Sequence, residues 1–102
     1  MIQEPHRQRA LVRDALESVR HAIPRDLARD VADYVGRVGD PELAADVLVD
    51  GIIEGRVLLS VDEFDAVRLA MEACGRDRDR RLVWLEEHGL KPLPAASDEF
   101  DD

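Results

Sequence analysis

The sequence predicts an all-α protein, a four- to five-helix antiparallel bundle or array in a single domain. Apolar residues recur at three- and four-residue steps through most of the chain, and helix-start and helix-stop residues divide it into segments. Aromatic residues make up only 4% of the chain while hydrophobic residues make up 45%. The core must therefore be aliphatic, which suits the packing of helix on helix.

The first predicted helix runs from Pro5 to about Ala22 and the second begins at Pro24, because the residue before a proline avoids the helical region. The second helix is expected to end between Gly36 and Gly39, since glycine commonly follows a helix. Their expected core positions are Leu11, Val12, Ala15, Leu16, Val19 and Ile23, then Leu27, Val31, Tyr34, Val35 and Val38.

Two strong start motifs open the third and fourth helices. Asp40 followed by Pro41 predicts an N-cap and a first helical residue, with the third helix continuing to about Glu54. After the short apolar linker 55–59, the sequence Ser60-Val61-Asp62-Glu63 is a capping box that predicts a fourth helix from Val61. The inward positions are expected to be Leu43, Val47, Leu48 and Ile52, then Phe64, Val67, Met71 and Cys74.

A shorter fifth helix is predicted from about Asp77 to His88, with Leu82 and Leu85 inward and Trp84 to one side. Residues 1–91 are expected to form the domain. Residues 92–102 carry four acidic groups and are expected to form a disordered acidic tail.

The formal net charge of −9 argues against nucleic acid and anionic membrane as partners, and it favours a partner with a basic face. No stretch approaches the roughly 20 apolar residues that span a membrane, and the beginning of the chain is charged, so a cytoplasmic location is expected. Cys74 is expected to be a buried, inert thiol.

The negative charge is concentrated in residues 40–72, which hold nine acidic and two basic residues. Glu42, Asp46, Asp50 and Glu54 follow one another at four-residue steps, so a helix places them on one face; we call them the acidic column. The column is expected to lack the Lys or Arg partners that a solvated face often carries, and it is interpreted equally well as a solvated face or as a recognition surface.

The apolar pair Val49 and Ile53, expected beside the acidic column and outside the core, favours recognition, because interfaces place apolar anchors within a polar rim. Asp62 and Asp65 lie in the first turn of the fourth helix, where acids are mainly structural, yet they would extend the same negative field. The candidate partner-binding residues are Glu42, Asp46, Val49, Asp50, Ile53, Glu54, Asp62 and Asp65.

Nothing in the sequence predicts catalysis, a cofactor or a metal. His6, His21 and His88 are scattered near predicted helix ends without a catalytic relay, and surface positions are expected for them. The segment 50–64 fails the register of a calcium loop, with Val57 where glycine is required. The mixed-charge run 76–81 is expected to form a solvated turn.

A family resemblance lies in Gly39-Asp40-Pro41-Glu42-Leu43-Ala44, the acidic helix through Val49-Asp50-Gly51 and Glu54, and Ser60-Val61-Asp62-Glu63-Phe64. In this order the motifs resemble the MafI-type immunity proteins of bacterial polymorphic toxin systems, over roughly residues 9–90. The resemblance implies a small helical protein that binds and neutralises the toxin domain of its own lineage, with a nuclease as the expected toxin.

An alternative function is an acidic helical adaptor or regulatory module that binds protein, including an anti-activator that mimics nucleic-acid charge. A toxin gene next to the gene for this chain is expected only for an immunity protein. A homo-oligomer is compatible with the sequence, although nothing in the sequence indicates one.

Overall fold

The structure, a computed structural model, describes residues 4–92, and five α-helices account for most of them. A 3₁₀ turn follows the first helix over Arg20–Ala22, and a π-helical turn follows the second over Tyr34–Val38. Within the described residues the only β pairing is an isolated parallel bridge between Leu59 and Leu90, so the all-α prediction is confirmed. The helices are α1 (Pro5–Val19), α2 (Arg25–Asp33), α3 (Pro41–Glu54), α4 (Val61–Ala73) and α5 (Arg80–His88).

Side-chain caps begin the last three helices. The Asp40 carboxylate accepts from the Leu43 amide at 3.0 Å, as the Asp-Pro motif predicted. The predicted capping box is also present: the Glu63 amide donates to Ser60 Oγ at 3.1 Å, and the Ser60 amide donates to Glu63 Oε1 at 2.8 Å. The caps therefore fix the starts of α3 and α4 from local sequence.

The fifth helix begins later than predicted, at Arg80 instead of Asp77. The physical reason is the carboxylate of Asp79, which accepts from the Arg81 amide at 2.9 Å and caps the first turn. Asp77 and Arg78 precede that cap and are exposed in the turn between α4 and α5. Spacing alone does not decide whether Asp77 or Asp79 caps the helix, because the two aspartates alternate with arginines.

A left-handed glycine ends the second helical segment, as predicted. Gly39 has φ of 75°, a conformation that is costly for residues with a side chain. The Asp40 amide then donates to the Tyr34 carbonyl at 2.8 Å, which closes the π-helical turn and delivers Asp40 to its capping position.

The core is aliphatic, and α1 lies at its centre, packed mainly against α4 and also against α3. Gln8 is buried and donates from Nε2 to the Ala73 carbonyl at 3.1 Å, which joins the beginning of α1 to the end of α4. Cys74 is buried as expected, and burial together with the charge of Glu42 raises the pKa of its thiol to about 11. The largest fully buried side chains are Leu16, Leu48, Ile52, Leu59, Met71 and Leu85.

Two expected core positions are wrong. Leu43 and Val38 are exposed, whereas Leu48 and Ile52 are buried as predicted. The buried face of α3 runs through Ala44, Ala45, Leu48, Val49 and Ile52, which rotates the core stripe away from Leu43. Trp84 is exposed on α5, as predicted from its place beside Leu82 and Leu85.

The predicted acidic tail, apart from Pro92, falls outside the described residues. No helix in the described part of the chain is both long and apolar enough to cross a membrane.

Candidate interaction surface

The acidic column on α3 does have arginine partners, so the expectation that it lacks them is wrong. Arg76, in the turn between α4 and α5, donates from Nε to Asp46 Oδ1 at 2.8 Å and from Nη2 to Asp46 Oδ2 at 2.9 Å. This is a bidentate guanidinium–carboxylate pair, the strongest form of such a contact. Arg76 Nη1 also lies 3.7 Å from a carboxylate oxygen of Glu42.

A second arginine, Arg81 on α5, binds three carboxylates. It donates to Asp46 at 2.9 Å, to Asp50 at 2.8 Å and to Asp79 at 2.8 Å. These hydrogen bonds, foremost the one that Arg81 donates to Asp79, raise the pKa of Arg81 above its usual value. The same contact lowers the pKa of the Asp79 carboxyl to about 2.

Asp46 is the shared member of the network, because it accepts from both Arg76 and Arg81. Its partial burial acts to raise its pKa, but the two guanidinium groups outweigh burial and the pKa is lowered. We call Asp46, Asp50, Arg76, Asp79 and Arg81 the ion-pair network. It fastens the turn after α4, and α5 itself, to the side of α3.

The expectation that residues 76–81 form a solvated turn is therefore correct for only part of that segment. Asp77, Arg78 and Arg80 are exposed, whereas Arg76, Asp79 and Arg81 are half-buried in the ion-pair network. The two guanidinium groups of the network neutralise most of the charge of Asp46 within the protein. Asp50 keeps a side chain that is 56% exposed.

The expectation that Val49 lies outside the core is also wrong, because Val49 is 1% exposed and belongs to the core cluster. The cause is again the rotation of the α3 core stripe, which includes position 49 along with Leu48 and Ile52. Ile53 differs: it is partly buried, packs against the core and lines a surface groove.

This apolar groove lies between the end of α3, the loop 55–59 and α5, and it has a volume of about 410 Å³. Two large apolar side chains on its wall are exposed, Leu58 at 44% and Trp84 at 41%. The ring of Trp84 stacks on that of His88, with centroids 5.1 Å apart and an interplanar angle of 29°. The groove is lined by Ile53, Arg56, Val57, Leu58, Trp84, His88 and Gly89.

The backbone around the apolar groove is tied on both sides. The Leu59 amide donates to the Gly89 carbonyl at 2.8 Å, and the Lys91 amide donates to the Leu59 carbonyl at 2.8 Å. Gly89 has no room for a side chain, since a Cβ there would lie 2.7 Å from Leu85 Cδ2 and 3.1 Å from the Leu85 carbonyl oxygen. The loop and the end of α5 are thereby held at a fixed distance.

Exposed carboxylates lie on the two helices that flank the apolar groove. Asp50 is one turn before Ile53 on α3, and Glu54 follows Ile53 directly. Glu86 and Glu87 are exposed on α5 beside His88. The helices on either side of the apolar centre therefore carry exposed negative charge, although none of these carboxylates lines the groove itself.

Asp62 and Asp65 are exposed in the first turns of α4, and no contact in the described residues joins them to the acidic column. Asp65 pairs with Arg68 at 2.7 Å. Between them, Glu63 belongs to the capping box and contacts the exposed ring of His21. Burial acts to raise the pKa of Glu63, but the Ser60 amide and His21 outweigh it, so the pKa is lowered.

Of the residues proposed from sequence, only Ile53 lines the apolar groove, and Glu54 lines a separate depression beside α2. Two features of the sequence could have indicated the groove: Trp84 lies off the core stripe of α5, and the apolar linker that contains Leu58 had no assigned role. Across the described residues, no group of three or more His, Cys, Asp or Glu side chains is placed to hold a metal ion.

No protein-family model, curated protein or solved structure matches the chain.

Proposed function

We propose that this chain is an immunity protein that binds a cognate toxin domain, with a nuclease as the expected toxin, and keeps it inactive. The observation that carries the proposal is the apolar groove. Exposed aromatic and aliphatic side chains in a shaped depression, ringed by charge, are the usual composition of a protein-binding site. Trp84 and Leu58 are the anchors of this surface.

The charge of the chain supports a basic partner. With a net charge of −9, the protein attracts a positively charged surface over a distance, and Glu54, Glu86 and Glu87 place negative charge on the helices beside the groove. A nuclease domain needs a basic face for its substrate. An acidic partner can cover that face and associate rapidly.

Arg56 adds polar specificity to the apolar groove. It is exposed on the groove wall and has no carboxylate partner among the described residues. Its guanidinium is free to donate to backbone carbonyls or to a carboxylate of the partner. The expected partner segment thus presents an apolar side chain for Trp84 and Leu58, with basic residues around it.

The alternative of a nucleic-acid mimic receives less support. Such a protein needs a row of free carboxylates spaced like phosphates, and in the acidic column Asp46 is bound by two arginines and Asp50 by one. The sequence resemblance to MafI-type immunity proteins favours toxin neutralisation over a general adaptor.

The proposal is tested by capture of the partner with the full chain from the source organism, followed by binding measurements with the purified toxin domain. Trp84→Ala and Leu58→Ala are each expected to weaken binding by at least about thirtyfold, the scale of an interface hot spot. Val83→Ala on α5 and Leu69→Ala on α4 are matched controls, because both side chains are similarly exposed but do not line the groove.

Co-expression with the toxin gives the functional readout. The wild-type chain and the two controls are expected to protect cells, whereas Trp84→Ala is expected to protect poorly. Equal protection by Trp84→Ala, or full binding by both groove variants, would show that the groove is not the recognition surface. Failure of any toxin domain to bind the wild-type chain would refute the immunity function itself.

A further inference from the structure

A second depression lies between α1 and the π-helical turn, and its lining is basic. His6, Arg9 and Arg13 line it from α1, at steps of three and four residues that place them on one face of the helix. Ala10, Val35 and Gly36 form the remainder of its surface. We call this depression the arginine cleft.

Two glycines leave room for the guanidinium groups of the arginine cleft. Arg13 Nη2 lies 3.9 Å from the position of a Cβ on Gly36, and Arg9 Nη2 lies 3.7 Å from that on Gly39. Positions three apart on a helical turn are about 5 to 6 Å from each other. The two planar cations therefore lie over positions 36 and 39 of the same short stretch of backbone.

Neither arginine is neutralised by a carboxylate in the described part of the chain. Arg9 and Arg13 take part in no ion pair there, although the protein has 23 acidic residues against 14 basic ones. By contrast, Arg37, Arg68, Arg76 and Arg81 each bind at least one carboxylate. The arginine cleft is thus a local concentration of free positive charge on an acidic protein.

We propose that the arginine cleft binds a phosphate group, as free phosphate or as a small phosphate monoester. Each guanidinium presents a rigid fork of N–H donors, and two forks converging on one depression match the several oxygens of a tetrahedral phosphate better than the two of a carboxylate. Acidic charges more than about 8 Å from the cleft oppose binding only weakly, because they are screened at physiological ionic strength.

The test is a titration of the full chain with inorganic phosphate, followed by NMR of backbone amides and arginine Nε–H groups. Potassium chloride at matched ionic strength is the control for screening. The signals of Arg9, Arg13, Gly36 and Gly39 are expected to shift saturably with phosphate and to remain still with chloride. A parallel titration with adenosine monophosphate, using adenosine as its control, distinguishes a phosphate monoester from free phosphate: the tighter ligand of the two identifies the source.

Charge-neutral variants locate the site. Arg9→Gln and Arg13→Gln are each expected to weaken phosphate binding about tenfold or more, the equivalent of losing a charge-assisted contact. Arg7→Gln is the matched control, since Arg7 is an exposed arginine on the same helix that does not line the cleft, and less than about a twofold effect is expected from it. Melting temperatures measured for all variants show that each is folded.

Arg13→Lys separates geometry from charge, because it keeps the cation and removes the fork. An intermediate loss of affinity supports the proposed site. The proposal is overturned if chloride reproduces the phosphate shifts, if Arg7→Gln weakens binding as much as Arg13→Gln, or if neither phosphate nor adenosine monophosphate saturates the Arg9 and Arg13 signals.

Discussion

Arg81 on α5 donates from Nη2 to Oδ1 of Asp46 on α3 at 2.9 Å, across 35 positions of sequence. The same carboxylate accepts two hydrogen bonds from Arg76. Asp46 therefore stabilises the position of α5, whereas the spacing of the acidic column alone would assign it to a solvated or partner-facing surface.

The first prediction concerns reversal of that charge. Asp46→Lys is expected to destabilise the protein by about 1 to 3 kcal/mol, because two half-buried guanidinium groups would lose their acceptor and face a third cation. Helical spacing considered alone gives the opposite sign, since a lysine at 46 would lie between Glu42 and Asp50. Urea unfolding monitored by circular dichroism measures the change.

Glu42→Lys is the control for this experiment, as it makes the same charge change in the same acidic column. Glu42 is more exposed and only 3.7 Å from Arg76, so a loss below about 1 kcal/mol is expected. Equal stability of Asp46→Lys and the wild type would mean that the ion-pair network contributes nothing to the fold.

The second prediction is a dependence of stability on acid pH. The pKa of Asp79 is lowered from 3.8 to about 2 in the folded protein, chiefly by Arg81. A lowered pKa adds stability that is complete above the unfolded value and is lost as pH falls through the folded value. The wild type is therefore expected to lose stability between about pH 4 and pH 2.

Asp79→Asn should flatten that part of the pH profile, because asparagine still caps a helix but does not titrate in this range. The free energy of unfolding at several pH values, for both proteins, tests the assignment. Profiles of equal slope would place the acid sensitivity on other carboxylates of the chain.

The third prediction separates folding from recognition. Ser60→Ala removes the N-cap oxygen of α4 and is expected to cost about 0.5 to 2 kcal/mol of stability, with partner affinity nearly unchanged. Ser60→Asp, which retains a capping oxygen, should recover most of the loss. A collapse of affinity at constant melting temperature would instead assign the start of α4 to the interface.

The fourth prediction concerns Gly89, beside the apolar groove. Gly89→Ala is expected to destabilise the protein by about 1 to 3 kcal/mol, since the new methyl group would meet Leu85 Cδ2 at 2.7 Å and the carbonyl and Cα of Leu85 nearby. The fluorescence of Trp84 should shift as α5 moves. Gly36→Ala is the control, because its Cβ would have ordinary contacts and no loss is expected.

Local sequence was sufficient for most of the fold. Asp40 and Ser60 each act within three residues of themselves, so the starts of α3 and α4 could be predicted from spacing. Arg76 and Asp46 are 30 positions apart, and no local pattern pairs them. Their partnership follows from the packing of α4 against α3, which brings the turn after α4 to the side of α3 and which periodicity does not specify.

The candidate surface likewise combines residues that local sequence can place with residues that only the packing of the chain brings together. Ile53, which lines the groove, was proposed from sequence because it lies on the helix that carries the acidic column. Val49 was misplaced because a helix with small residues at Ala44 and Ala45 buries a wider face than its large apolar residues indicate. Leu58 and Trp84 lie on a loop and a helix that meet only in the folded chain.

The Leu59 amide donates to the Gly89 carbonyl and the Lys91 amide donates to the Leu59 carbonyl, and these two hydrogen bonds affect how the unbound protein fluctuates. These bonds connect the loop before α4 to the residues after α5, and Arg81 holds the other end of α5. The wall bearing Trp84 is therefore expected to open together with the helical core. Hydrogen exchange at Leu59 and Lys91 should then be as slow as in that core. A partner would meet a preorganised surface and lose little conformational entropy of this chain on docking, which favours tight association over a small contact area.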